Sequence, residues 1–304
     1  MAGERSDIQV IHPDGTISVK EIFTIVFYIR KPNLEIVDNI ERAILGFVDL
    51  VSIESLPGYY NYEGEQEDLT EKSLHALIYE RLHGPYRAPN ANIELIGSGI
   101  YAPDYYLRYY GSSLSVPGLA DEVSYIWLWM PKKFYEIHTS QVFEYIMMLA
   151  DNLPFTFAYA SLGLAGDDQY KKQALARRYP GLDIADPSSI RADLDSKAVG
   201  SYWLTLLGVE LSRSLGGMSI LRSQLSAEIT VKDLSNEKCL ILLGEKPETG
   251  DVNRRDFLPL YRELAKFFHS KELLHIPERI VYFVDQDGMA ARDAMEKWHR
   301  RFLD

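Results

Sequence analysis

Eight consecutive residues, Ile22-Phe23-Thr24-Ile25-Val26-Phe27-Tyr28-Ile29, are all β-branched or aromatic. Such side chains suit a pleated surface and lose rotamer freedom in a helix, so the run reads as a buried strand. Pro32 ends it. The apolar period then changes. Ile36, Val37, Ile40, Ile44, Phe47, Val48 and Val51 keep helical spacing, which predicts a helix over about residues 34–51. Asn33 is available as its cap, and Glu35 and Asp38 lie near the positive end of its dipole. A buried strand followed at once by an amphipathic helix demands a sheet with helices packed on it.

The rest of the chain extends that pattern. Residues 57–70 read as a loop, and 74–82 as a short helix closed by His83-Gly84-Pro85. Strands are expected at 93–96, 105–110 and 123–129, then a helix near 140–151 and a strand at 154–160. Strand, helix, strands, helix, strand over about 20–162 is the order of a split β-α-β, ferredoxin-like arrangement. Farther on, helices are expected near 169–178, 203–215, 218–224, 259–269 and 289–302. Strands are expected at 227–231 and 240–243, with a further candidate at 280–284. The expected fold class is therefore α+β, with mixed, largely antiparallel sheets, helices packed on them, and a ferredoxin-like N-terminal half. Composition shifts at Asp183-Ile184-Ala185-Asp186-Pro187-Ser188-Ser189. This divides the chain into an N-terminal α+β lobe, 1–182, and a C-terminal α+β lobe, 183–304, packed together as one compact domain.

Charge and cysteine content narrow the function. A formal charge of −12 argues against nucleic-acid binding, which needs a basic face, and suits a basic protein partner. The single cysteine, Cys239, sits in an apolar strand-like run, so neither an intramolecular disulfide nor a cysteine-based zinc cluster is expected. The stretch from Met1 to Asp7 has no apolar core of a secretory signal, and no apolar run approaches a membrane span. The expected location is the cytoplasm.

Catalytic chemistry finds little support. None of the seven histidines lies in a zinc-protease spacing or beside a nucleophile motif. Gly244 to Arg254 follows a strand and precedes a helix but lacks the phosphate-loop lysine pattern. Leu162-Gly163-Leu164-Ala165-Gly166 misses the dinucleotide spacing. Both read as tight turns. No catalytic, cofactor or metal residues are expected, and no cofactor.

Tyrosine is the more informative residue. There are 20, and two clusters fall in expected surface segments. One combines Tyr59, Tyr60 and Tyr62 with Glu63, Glu65, Glu67 and Asp68; the other contains Tyr105 and Tyr106. Tyrosine buries a large area at small entropic loss, and neighbouring carboxylates steer a basic partner. These nine residues are the candidate partner-binding set. The alternative is that strand tyrosines fill one sheet face and the acidic run is a solvated loop.

A further set of residues is shared with a known family. Tyr159 to Gly166, Arg178-Tyr179-Pro180-Gly181, Trp203-Leu204-Thr205, Leu215-Gly216-Gly217, Pro247 and Gly250-Asp251-Val252-Asn253 occur in the family's order and spacing. In these the chain resembles the TsiV-like type VI secretion immunity proteins, formerly a domain of unknown function, from about Ile22 to His269. The resemblance implies a bacterial protein made beside a type VI effector toxin. It would bind that toxin and neutralise it by occluding its active site. Together with the negative charge, it points to a cytoplasmic poison with a basic nuclease domain. An enzyme that reverses the toxin's modification, or an adaptor that loads the effector, are the alternatives.

Overall fold

The computed structural model describes residues 7–85, 89–114 and 122–303; the N-terminal residues read for a signal lie outside these, Asp7 excepted. Its centre is one antiparallel sheet of eleven strands. In chain order these are β1 (Gln9–Ile11), β2 (Ile17–Ile29), β3 (Gly58–Tyr60), β4 (Gln66–Asp68), β5 (Ala91–Ile96) and β6 (Tyr106–Gly111). They continue with β7 (Ser124–Pro131), β8 (Phe157–Gly166), β9 (Leu204–Leu207), β10 (Ile229–Asp233) and β11 (Cys239–Leu243). Across the sheet they run β10-β11-β9-β8-β2-β7-β6-β5-β3-β4, with β1 also paired to β2.

The aromatic and β-branched run is the spine. β2 pairs with β7 on one side and β8 on the other, and residues 21–29 are all buried. Alternation is absent because both faces are covered. On one face Phe23 stacks on Tyr135 at 3.9 Å and Phe27 meets Phe155 edge-on at 5.3 Å. On the other, Thr24 accepts the indole N–H of Trp127 at 3.0 Å.

Ten α-helices are present among the described residues. They are α1 (Val37–Val51), α2 (Glu71–Ile78), α3 (Lys132–Ile137), α4 (Thr139–Asn152) and α5 (Gln169–Arg178), then α6 (Pro187–Ile190), α7 (Val209–Ser214), α8 (Gly217–Gln224), α9 (Pro259–Ser270) and α10 (Arg292–His299). β2, α1, β6, β7, α4 and β8 reproduce the expected split β-α-β order, since the sheet places their strands β8-β2-β7-β6. α1 packs on α4, with the Tyr145 hydroxyl donating to the Ala43 carbonyl at 2.8 Å. The additions to that unit, β3, β4, α2 and β5, enter between α1 and β6.

Several local expectations are corrected. Asn33 does not cap α1: it is buried in a preceding 3₁₀ turn, and its Oδ1 accepts the Tyr109 hydroxyl at 2.7 Å. A long-range partner has taken the side chain that a cap would have used. Residues 57–70 are a hairpin rather than a loop, because Asn61 Oδ1 accepts the N–H groups of Glu63 and Glu65 and Gly64 supplies a φ of +81°. Residues 162–166 are the second half of β8, not a turn. The 280–284 candidate forms a single bridge, Val284 to Ala290.

The helix expected over 203–215 divides in two. Leu204–Leu207 is β9, held between β8 and β11, and only after Gly208 does α7 begin. A short apolar run buried on both faces carries no period to separate strand from helix. Gly208 makes the change of direction at close quarters: a Cβ there would stand 2.1 Å from the Phe155 carbonyl oxygen.

The C-terminal helix carries a buried titratable group. His299 is buried, and its Nε2 lies 2.7 Å from the Tyr282 hydroxyl. Burial, with the Arg301 charge in addition, holds the imidazole well below its ordinary value. The unfolded chain gains a proton below about pH 6.5 that the folded chain refuses, so stability is lost as pH falls through that region. The thermal midpoint is expected to drop between about pH 7 and pH 5, and His299→Gln to flatten the drop. An equal slope in the variant would acquit His299.

Candidate partner-binding site

The β3–β4 hairpin forms one end of the sheet, and its chemistry follows from strand alternation. Tyr59 pairs with Glu67 and Leu95, whereas Tyr60 pairs with Gln66. Neighbouring residues of a strand face opposite ways, so the two tyrosines serve opposite faces. Tyr59 donates to Glu67 Oε2 at 2.5 Å, and Asn61 Nδ2 donates to Glu67 Oε1 at 2.8 Å. Those two hydrogen bonds, Tyr59 first, hold the Glu67 carboxyl below its ordinary range, and the same bond raises the Tyr59 phenol. The hairpin side chains are thus ordered by one another before any partner arrives.

Between the hairpin and α2 lies a hollow of about 510 Å³, lined by Tyr59, Tyr62, Glu63, Glu65 and Glu67, and on the helix side by Glu80 and Arg81. Arg81 is the one cation in it among the described residues. Its guanidinium stands 3.1 Å above the Tyr62 ring, so a tyrosine that is 60% exposed is pinned in place. Arg81 is carried inward by a π-helical turn, Tyr79–His83, which follows α2 and closes with the Gly84 N–H on the Tyr79 carbonyl. Sequence reading missed this residue. The spacing of Leu77 and Arg81, four apart on one helix face, was the only signal available.

The remaining candidates are not brought into that hollow. Tyr60 packs against a small cluster on the other face that includes Ile22, Ile96, Tyr106 and Trp129. Tyr106 is buried there, stacked on Trp129 at 4.0 Å, with its hydroxyl donating to Glu94 at 2.7 Å. Tyr105 is half-buried and lies edge-on to Phe134 at 5.7 Å. Asp68 is exposed at the end of β4.

Cys239 and the Asp38 cluster offer little catalytic chemistry. Burial pushes the Cys239 thiol up to about 12, which leaves it protonated and unreactive. Asp38, Glu41 and His83 gather within 4.8 Å, yet His83 Nε2 is already engaged by Glu41 at 2.8 Å.

The motif residues that are far apart in sequence converge in space. Tyr159 donates to Asp183 Oδ2 at 2.7 Å and stacks on Tyr202 at 3.6 Å. The Asp183 backbone joins β8, its N–H to the Leu162 carbonyl and its carbonyl to the Leu164 N–H, both at 2.9 Å. Arg178 clasps Asp251 through Nε at 3.3 Å and Nη2 at 3.2 Å. The Gly181 N–H donates to Thr249 at 2.9 Å, and a Cβ on Gly181 would stand 2.1 Å from the Glu248 carbonyl. These residues fasten chain segments together. They build the fold.

Residues 96–302 match the family described as TsiV, type VI immunity for VRR-NUC. The chain belongs to the TsiV family. The matched span holds the converging motifs, and the β3–β4 hairpin precedes it. Among solved structures this TsiV-family chain is similar to the Pseudomonas aeruginosa T6SS protein PA0821, at 16% identity and a TM-score of 0.77, over 98% of this chain and 88% of that one. At that identity the likeness is one of fold. No curated protein matches the chain. No helix among the described residues of the TsiV-family chain is long and apolar enough to cross a membrane.

Proposed function

We propose that this protein binds a cognate type VI effector toxin in the cytoplasm and neutralises it stoichiometrically by covering its active site. The observation that carries the reading is membership of a family described by immunity to VRR-NUC, and the toxin we propose is a nuclease of that kind. The two lobes, 1–182 and 183–304, would act as one compact immunity domain without catalysis of their own. The contact we assign to the hairpin uses Tyr59, Tyr62, Glu63 and Glu65, with Arg81 holding Tyr62 in place. Its acidic, pre-ordered face suits the basic surface that a nuclease offers its substrate. Tyr60 and Tyr106 support that end of the sheet from behind, and Tyr105 packs on Phe134.

Co-expression with the product of the adjacent gene tests the proposal. Growth should be rescued, the two proteins should co-purify, and nuclease activity in vitro should vanish at one equivalent. Protection by far less than one equivalent, or rescue without a complex, would overturn stoichiometric occlusion in favour of enzymatic reversal.

A further inference from the structure

On a different part of the molecule a larger groove, about 940 Å³, opens between the end of α5, the 252–257 turn and α10. Its floor is apolar, built from the buried Phe283 and Trp298. Val252 and Phe257 stand at its edge, 40% and 43% exposed. Large apolar side chains left open to water beside such a floor mark a surface that another molecule can cover.

The groove's charge is opposite to that of the protein. Arg177, Arg262, Arg292, Lys297 and Arg301 line it, against the single carboxylate of Asp293 among the described residues, in a chain whose net charge is −12. Arg301 serves the wall: its guanidinium stacks on Trp298 at 3.9 Å and donates to the Pro180 carbonyl at 2.8 Å. The Arg177 and Lys297 side chains are exposed and have no hydrogen-bond or ion-pair partner among the described residues. Cations concentrated around apolar anchors select a segment that brings carboxylates with its own apolar side chains.

We infer that this groove receives an acidic, amphipathic segment of the partner effector. The inference rests on the immunity reading above and adds a second contact of opposite charge to the hairpin. A partner held by an acidic face at one place and a basic groove at another can dock in one orientation only. The groove falls inside the span matched to the family and the hairpin outside it. The groove would therefore recognise what the family's effectors share, and the hairpin what distinguishes one effector from another.

Calorimetry of the full chain with the effector tests this. Arg177→Glu with Lys297→Glu, and separately Phe257→Ala, should each raise Kd by about tenfold or more, while Arg177→Lys with Lys297→Arg should bind as the parent does. If the parent binds and every groove variant binds equally well, the groove is overturned and the immunity reading stands. If the parent fails to bind the effector, the immunity reading fails, and a labelled helix-forming peptide decides the groove. A peptide with leucines on one face flanked by glutamates should bind, its lysine counterpart should not, and Arg177→Glu with Lys297→Glu should abolish the binding. No binding of the glutamate peptide would overturn the inference, as would sedimentation showing a dimer that Phe257→Ala dissolves, which would assign the groove to a second copy of the chain.

Discussion

Gly208→Ala is expected to destabilise the protein by about 3 kcal/mol or more, the upper end of overpacking costs. The added methyl would stand 2.1 Å from the Phe155 carbonyl oxygen and 2.9 Å from that of Thr156. Both obstacles are backbone, so no rotamer change relieves them. Moving them would also strain the hydrogen bond from the Gly208 N–H to the Thr156 carbonyl, 2.8 Å long, at the junction of β8 and β9. Gly244→Ala is the fitting control. Gly244 has a φ of +81° and open space around it, so alanine there meets only the left-handed backbone cost, about 1–2 kcal/mol. Urea midpoints for the two variants should differ clearly. Equal midpoints would mean that the strand–helix junction relaxes freely.

Glu63→Lys with Glu65→Lys is expected to slow association with a basic effector by about tenfold or more at low ionic strength. Both side chains are exposed and take no part in the hydrogen bonds that order the hairpin; only backbone groups are held, both N–H groups by Asn61 Oδ1 and the Glu65 carbonyl by the Asn61 N–H. The hairpin should therefore survive the change. The difference between parent and variant should disappear near 1 M salt, where the screening length is about 3 Å. Dissociation rates should change little, because steering acts on encounter. Stopped-flow binding at several salt concentrations reads all of this. A salt-independent loss would instead point to damage in the hairpin itself.

Legibility followed the strength of the period. The β2 run and the α1 stripe are long, so their type was plain from sequence, and the buried residues Ile40, Ile44, Phe47, Val48 and Val51 are those the spacing named. α5 was equally plain, although burial of its polar Lys172 and Gln173 was not. β9 is four residues long and buried throughout, so nothing alternated to mark it. β3 and β4 are three residues each, and β4 is wholly polar and exposed, which reads as loop. Composition located the acidic tyrosine cluster but not its sidedness. One strand sends Tyr59 to the hollow and Tyr60 to the Trp129 cluster, and that split follows from register alone. Arg81 and the basic groove were invisible because both depend on residues that meet only after the chain has folded.

The strand at the hairpin end has one more consequence. β4 is Gln66-Glu67-Asp68, short and charged, so the last backbone ladder of a large sheet offers almost no template for another chain. In the proposed role the protein would be made ahead of its toxin and would wait among its own copies, where an edge that templates pairing would be costly. At this edge of the sheet, three hydrophilic residues would leave the hairpin side chains to a partner instead of to a second copy of the chain.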